Sequence, residues 1–302
     1  MSAPVIEIER LSRRFGKKLA LDDVTLEIPL GCVYGLVGEN GAGKTTLLKH
    51  LLGLYKPQSG SVSVFGMSPV DSPEIVLSRV GYLSEQRTLP EWMTIAETIN
   101  YTSAFYPTWD TKFAAELRER FELPTSQRVN TLSRGQRARI GLLLALAYRP
   151  ALLVLDEPSS GLDSIVRKDI LSAIIRTVAD EGRTVLFSSH LLDEVQRVSD
   201  KFSILHHGKI VLSGDTDEVL QAHERITVRF GEPRSSMPLD SATSHFEGEG
   251  RDWSVLCNGD RESVVASLVE AGGEILERRT PTLEEVFVAK AKMDRSSARG
   301  EG

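Results

Sequence analysis

Two groups of residues in this chain have the types and spacing to handle phosphate. The first is Gly38-Glu39-Asn40-Gly41-Ala42-Gly43-Lys44-Thr45, a G-x4-G-K-[ST] pattern with Thr46 directly behind it. Glycines let successive backbone N–H groups curl around an anion, which a Cβ hinders. A helix starting near Lys44 turns its free N–H groups and positive dipole end toward the same anion. Lys44 then reaches the outer phosphates of a nucleotide, and the Thr45 hydroxyl ligates Mg²⁺. The second group is Asp156-Glu157, which closes an apolar run. Asp156 is placed to hold Mg²⁺, directly or through water, and Glu157 to orient or deprotonate an attacking water.

These groups work only if the right elements present them. Residues 5–9 and 24–28 alternate with the period of strands, and 32–37 is a short apolar run bounded by glycines, which predicts a buried strand. The leucines of 46–52 recur at helical spacing. Strand, glycine-rich loop and helix thus follow in the order a phosphate loop requires. Residues 152–155 predict a second buried strand, with Asp156 and Glu157 at its carboxyl end, where α/β sheets bind ligands. Residues 184–187 predict a third. Kinases, GTPases, helicases and transport ATPases all share a phosphate loop, so its companions decide among them.

Between the two groups stands Leu132-Ser133-Arg134-Gly135-Gln136, leading into a helix predicted over 137–148. It resembles the signature motif of ABC ATPases, LSGGQ. The resemblance spans about 5–220 and implies an α/β fold, a P-loop NTPase core of ABC ATPase type with a helical subdomain at about 88–148. It implies ATP and Mg²⁺ as cofactors and Lys44, Glu157 and His190 as catalytic groups. His190, after Ser188-Ser189, resembles the switch histidine that contacts the γ-phosphate. Ser133, Gly135 and Gln136 would close over ATP held by the phosphate loop of another copy. Asp163, ending the D-loop-like 158–163, would communicate across that dimer. Phe15 resembles the aromatic platform for adenine. Gly81-Tyr82-Leu83-Ser84-Glu85-Gln86 resembles the loop whose glutamine senses Mg²⁺; the usual position falls on Glu85, with Gln86 one step later, and either offers the metal an oxygen. Arg134 stands where the family most often has Gly, and its guanidinium can contact phosphate or an acid across an interface.

The implied partners are a transmembrane permease subunit and a second copy of the chain or a related ATPase subunit. Trp92 and Met93 are candidates for the permease contact. Soluble ABC ATPases of DNA repair or the ribosome usually carry a coiled-coil insertion or a second ATPase domain, and neither is seen here. The net charge of −6 argues against nucleic acid as a partner.

With 302 residues, the chain suits one large domain and a smaller one. Its 41% hydrophobic and 26% charged residues are those of a globular protein. No apolar run approaches the ~20 residues of a membrane span, and the N-terminus has no signal-peptide pattern. These features predict a place on the cytoplasmic side, and the resemblance implies peripheral attachment to the cytoplasmic face of the cell membrane through the permease. Cys32 and Cys257 read as buried free thiols.

The expected domains are the ATPase at 1–222, a small C-terminal α+β module at 223–291, and a disordered tail at 292–302. Within the module the pattern predicts strands at 226–230, 253–257 and 274–279, helices at 261–270 and 282–291, and an irregular loop over 231–251. Residues 280–287, TPTLEEVF, resemble the ending of bacterial ABC ATPases that serve drug, antibiotic or ion export.

Overall fold

The computed structural model describes residues 3–86, 88–179, 182–237 and 244–297. The chain divides into two compact units, Met1–Ser213 and Gly214–Gly302.

The first unit runs β1 (Ile6–Phe15), β2 (Lys18–Ile28), β3 (Val33–Val37), α1 (Lys44–Leu51), β4 (Ser59–Val64), α2 (Pro73–Leu77), β5 (Val80–Leu83), α3 (Ile95–Ser103), α4 (Thr111–Arg120) and α5 (Arg134–Leu146). There follow β6 (Leu152–Leu155), α6 (Ser164–Ala179), β7 (Thr184–Ser189), α7 (Leu192–Val198), β8 (Lys201–His206) and β9 (Lys209–Asp215). Six strands form one sheet in the order β5-β6-β7-β3-β8-β9. Its central pairs, β5 with β6, β6 with β7, and β3 with both β7 and β8, are parallel. Every residue of β3, β6 and β7 is buried. Such continuous burial is the mark of a parallel sheet covered on both faces.

A second, antiparallel sheet has the order β2-β1-β4, with Ile8 opposite Leu26 on one side and Val62 on the other. Ile6 and Ile8 point into a core shared with Leu36, Leu47, Leu48, Val154 and Leu186. Each such side chain contributes about 1.5–3 kcal/mol by leaving water. That core fixes β3 and α1, and therefore the loop between them.

The helices differ in how they begin. Thr94 caps α3 and Ser133 caps α5, each with a reciprocal capping box, and Asp110 caps α4. Helix α1 instead starts at Gly43, at φ 115°, with no side-chain cap. Its first-turn N–H groups are thereby left for an anion.

The second unit comprises α8 (Thr216–Ala222), β10 (His223–Arg234), β11 (Ser244–Asn258), α9 (Arg261–Glu270), β12 (Gly273–Arg279) and α10 (Leu283–Ser297). Its antiparallel sheet has the order β11-β10-β12, and its core gathers Ile226, Val228, Phe230, Trp253, Val255 and Leu268. Three features differ from expectation. The division falls at 213/214 rather than 222/223, because α8, capped by Asp215, packs on β10. Much of 231–251 is strand, with Arg234 opposite Gly250 beyond a register shift; residues 238–243 lie outside the described residues. The expected tail from Lys292 is helical to Ser297, because α10 is anchored by buried Leu283, Val286 and Ala289 and each further residue adds a hydrogen bond without new nucleation. Residues 298–302 lie outside the described residues.

Glu285 at the start of α10 takes Arg279 at 2.6 and 2.9 Å and the Thr282 amide at 2.9 Å, with Arg225 at 2.5 Å. Burial alone would raise its carboxyl; the hydrogen bonds and the two guanidinium charges outweigh it and hold it at about 2. A depressed acid stabilises the fold above its unfolded value, here near 4.5, and that contribution is lost as pH falls toward 2. Acid melting followed by circular dichroism is expected to show this loss between those values, and Glu285→Gln to flatten it.

Candidate active site

The carboxyl ends of β3, β5, β6 and β7 point to the same edge of the parallel sheet, and the candidate residues follow directly from them. The loop 38–43 leaves β3, Glu85 follows β5, Asp156 and Glu157 follow β6, and His190 follows β7. Gly43 needs its positive φ, and a Cβ there would stand 2.5 Å from the Ala20 carbonyl, so only glycine closes the loop against β2.

Lys44 is 6% exposed in its side chain and sits at the centre of the arrangement. Its ammonium donates to the carbonyls of Gly38 and of Glu39, the latter at 3.3 Å, and pairs with Glu157 Oε1 at 2.9 Å. The other Glu157 oxygen is 2.7 Å from His190 Nδ1. Glu157 therefore stands between a fixed cation and a half-exposed imidazole. Its backbone has φ 49°, a left-handed conformation that costs a non-glycine residue about 1–2 kcal/mol.

Ser188 braces the same corner. Its hydroxyl donates to Asp156 Oδ1 at 2.8 Å and accepts from the Glu157 amide at 2.9 Å. Asp156 is 1% exposed. The sequence displays Ser188 two positions before His190, yet nothing local reveals that it bridges two strands.

An open cleft of about 390 Å³ gathers Phe15, Glu39, Asn40, Gly41, Gly43, Lys44, Thr45, Thr46, Glu85 and Glu157. Gly38 joins them through its carbonyl on Lys44, and Ala42 is buried in the loop. Phe15 packs edge-on against Tyr55 at 5.6 Å, with the Arg13 guanidinium 4.8 Å from its centroid. Lys18 and Ala20 also line the cleft. Both were missed in the sequence; a lysine close after the aromatic platform was the available signal for the first. Glu85 lines the cleft and Gln86 is not among its lining residues.

Mg²⁺ takes hard oxygen donors, commonly one or two carboxylates with substrate phosphates and waters completing the shell. Thr45, Asp156 and Glu85 offer only oxygen. Among the described residues no group of three or more His, Cys, Asp or Glu side chains is arranged to hold a metal alone. The donor set fits an ion held jointly with nucleotide phosphates, which Thr45 and Asp156 would anchor directly or through water.

The remaining candidates form a separate group. Ser133 Oγ accepts from the Gln136 amide at 3.2 Å while Gln136 Oε1 accepts from the Ser133 amide at 3.0 Å. Gly135 lets α6 approach, since a Cβ would stand 2.9 Å from Val166. Arg134 reaches Gly161, with one guanidinium nitrogen 3.4 Å from where a Cβ would be. Asp163 Oδ1 accepts from the amides of Ile165 and Val166 at 3.0 Å, and these bonds lower its pKa. The 133–136 segment and Asp163 thus lie on neighbouring elements, and none of these residues lines the cleft at the 38–45 loop.

A second groove, of about 370 Å³, is lined by Leu54, Leu77, Tyr82, Thr102, Tyr106 and Tyr148 among others. Tyr101 on α3 and Phe105 in the turn that follows it are 52% and 64% exposed. Trp92 is 70% exposed, whereas Met93 is buried.

Comparison with known proteins follows the same lines. The family described as ABC transporter matches residues 21–160. The daunorubicin resistance ATP-binding protein DrrA3 of Streptomyces coeruleorubidus is 32% identical, covering 98% of this chain and 98% of that protein. A solved ATP-binding subunit of an ABC transporter is 29% identical with a TM-score of 0.67, covering 72% of this chain and 92% of the other. A dimeric ATP-binding cassette in a post-hydrolysis state, bound to ADP and Pi, shares the fold at a TM-score of 0.63 and 23% identity, covering 70% of this chain and 98% of the other.

Proposed function

The chain belongs to the ABC transporter family of ATP-hydrolysing subunits, and from that premise we propose that two copies close around two ATP molecules to drive export through a separate membrane-embedded permease. The observation that carries the reading is the separation of the two site groups. The phosphate loop, Asp156, Glu157 and His190 adjoin one cleft, while Ser133, Gly135, Gln136 and Asp163 lie on neighbouring elements outside it. One copy therefore supplies the phosphate cradle, and another copy's signature surface completes it.

In this reading Phe15 stacks on the adenine and the loop amides with Lys44 hold the phosphates. Thr45 and Asp156, with Glu85 nearby, would hold Mg²⁺, which when bound would neutralise developing phosphate charge. Glu157 orients and deprotonates the attacking water, and His190, bonded to it at 2.7 Å, holds that carboxylate and faces the transferred phosphoryl. Lys44 exchanges its Glu157 partner for phosphate oxygens on binding, which releases the carboxylate for the water. Glu85 rather than Gln86 takes the metal-sensing position, because it is the one lining the cleft.

Coupling to the membrane is assigned to the second groove. No helix among the described residues is long and apolar enough to cross a membrane, and in this reading the permease supplies the path. A groove with apolar walls and exposed Leu54 on its lining, with exposed Tyr101 on α3 and Phe105 just after it, suits an amphipathic helix of that partner. Trp92, exposed beyond Pro90, is a further candidate for the permease contact, whereas Met93 packs inside. Peripheral attachment to the membrane's inner face follows from such a partner. Export is supported by the ending at 280–287 and by the resistance function in the name of DrrA3.

Affinity purification of the tagged chain from detergent-solubilised native membranes tests this. The wild type is expected to bring down a membrane-spanning protein, and Leu54→Asp with Phe105→Asp to lose it while melting within about 0.5 kcal/mol of the wild type. Capture by the variant equal to the wild type's would remove the groove from the account.

A further inference from the structure

Glu194, on α7, faces away from any role assigned so far and is 1% exposed. One of its oxygens, Oε2, accepts from two hydroxyls, Ser159 Oγ at 2.6 Å and Ser189 Oγ at 2.9 Å. Its other oxygen lies 3.3 Å from Arg167 Nε on α6. A carboxylate this deep persists only where donors and a cation compensate it. The identity of those donors is what matters. Ser159 follows Glu157 with only Pro158 between them, and Ser189 directly precedes His190. Helix α7 is itself firmly seated, because Val195 occupies the space left by the missing Cβ of Gly35 in β3.

We infer that Glu194 is a positioning residue for ATP hydrolysis: by holding Ser159 and Ser189 on one oxygen, it locks the backbone carrying Glu157 to the backbone carrying His190. The inference rests on the reading of Glu157 and His190 as hydrolytic groups. The 2.7 Å contact between them spans the ends of two strands, β6 and β7. Ser188 ties those ends together on the Asp156 side, and Glu194 ties them on the D-loop side. Arg167 extends the tie to α6, whose first turn Asp163 caps. Motion of the 158–163 segment at the dimer surface would thereby reach the Glu157–His190 pair through one buried carboxylate.

Ser159 and Ser189 donate to a charged acceptor, so losing either bond should misplace the catalytic pair without touching the phosphate cradle. The test measures steady-state ATP turnover, nucleotide affinity and thermal melting for Ser159→Ala, Ser159→Thr, Glu194→Gln, the Ser159→Ala/Glu194→Gln double variant, and Glu157→Gln. Ser159→Ala and Glu194→Gln are each expected to lower kcat about tenfold with KM and ATP affinity within about twofold of wild type. Ser159→Thr, which keeps the hydroxyl, regains most of the lost rate. The double variant falls no further than Glu194→Gln alone, as members of one network should. If Glu194→Gln does not fold, the contrast between Ser159→Ala and Ser159→Thr decides the matter by itself. Wild-type kcat in Ser159→Ala, additive losses in the double variant, or a rate loss matched by an equal affinity loss would each overturn the inference. A dead Glu157→Gln beside a normal Ser159→Ala sinks this inference alone, whereas a normal Glu157→Gln sinks the hydrolytic reading beneath it.

Discussion

Replacing Glu157 with Gln is expected to slow ATP turnover by about two to four orders of magnitude, the range spanned by removal of a general base, while ATP still binds. The amide keeps the size and the hydrogen-bonding carbonyl of the original side chain, so the 2.7 Å contact to His190 and the corner braced by Ser188 can persist. What it cannot do is take a proton. It also no longer holds Lys44 as an ion pair at 2.9 Å, which leaves that ammonium more available to phosphate. Affinity for ATP should therefore equal or exceed that of the wild type. Phosphate release and equilibrium nucleotide binding, measured on the same preparation, separate the two effects. Turnover at the wild-type rate would mean that another group activates the water.

Lys44→Ala is expected to abolish phosphate binding and, separately, to destabilise the first unit. The Lys44 and Glu157 side chains are each 6% exposed, and removing one partner from a buried ion pair costs about 3–5 kcal/mol because the other charge is left poorly compensated. For a unit of this size that corresponds to a fall on the order of 10 °C in melting temperature. The Lys44→Ala/Glu157→Gln double variant removes the charge as well, so it should recover most of the stability and none of the activity. Melting curves without nucleotide test the stability half of the argument independently of catalysis. An unchanged melting temperature in Lys44→Ala would show that His190 and solvent compensate Glu157 without the lysine.

The phosphate loop was the most legible part of the chain because every requirement is local. Glycines, lysine, threonine, a preceding buried strand and a following helix all lie within residues 32–52, and β3 and α1 form where the pattern places them. Asp156 and Glu157 were legible for the same reason, as acids ending a wholly apolar run. What escaped was decided by distant chain. Glu85 and Gln86 are adjacent and chemically similar, and only the path of the loop leaving β5 makes Glu85 the one that lines the cleft. Lys18 enters through the hairpin of β1 and β2, whose pairing carries it to the mouth of a loop more than twenty positions later. Glu194 carries no signal in the sequence; its meaning comes from serines that belong to two other segments.

The second unit illustrates the opposite error. Glycines, serines and two prolines over 231–251 suggested irregular chain, yet strands β10 and β11 continue into it because each supplies the other's hydrogen bonds. Local composition understates a strand whose partner is non-local. The end of α10 was misread in the same direction, since polar residues beyond Ala291 extend a helix already anchored by its apolar face. Ser133 shows a third limit. The structure displays its capping box within one copy, and that bond is compatible with its closing on a nucleotide held by another.

The central claim is that each ATP site is built from two copies, and mixing variants tests it most directly. Lys44→Ala removes the cradle, and Ser133→Arg fills the signature surface, so neither variant alone should close on ATP. In a mixture, the heterodimer pairs the intact phosphate loop of one copy with the intact signature of the other, giving one complete site. Energy transfer between differently labelled Lys44→Ala and Ser133→Arg copies should then rise with ATP and Mg²⁺, while each variant labelled against itself stays flat. A mixture as unresponsive as its components, with both variants folded by their melting curves, would contradict the shared site.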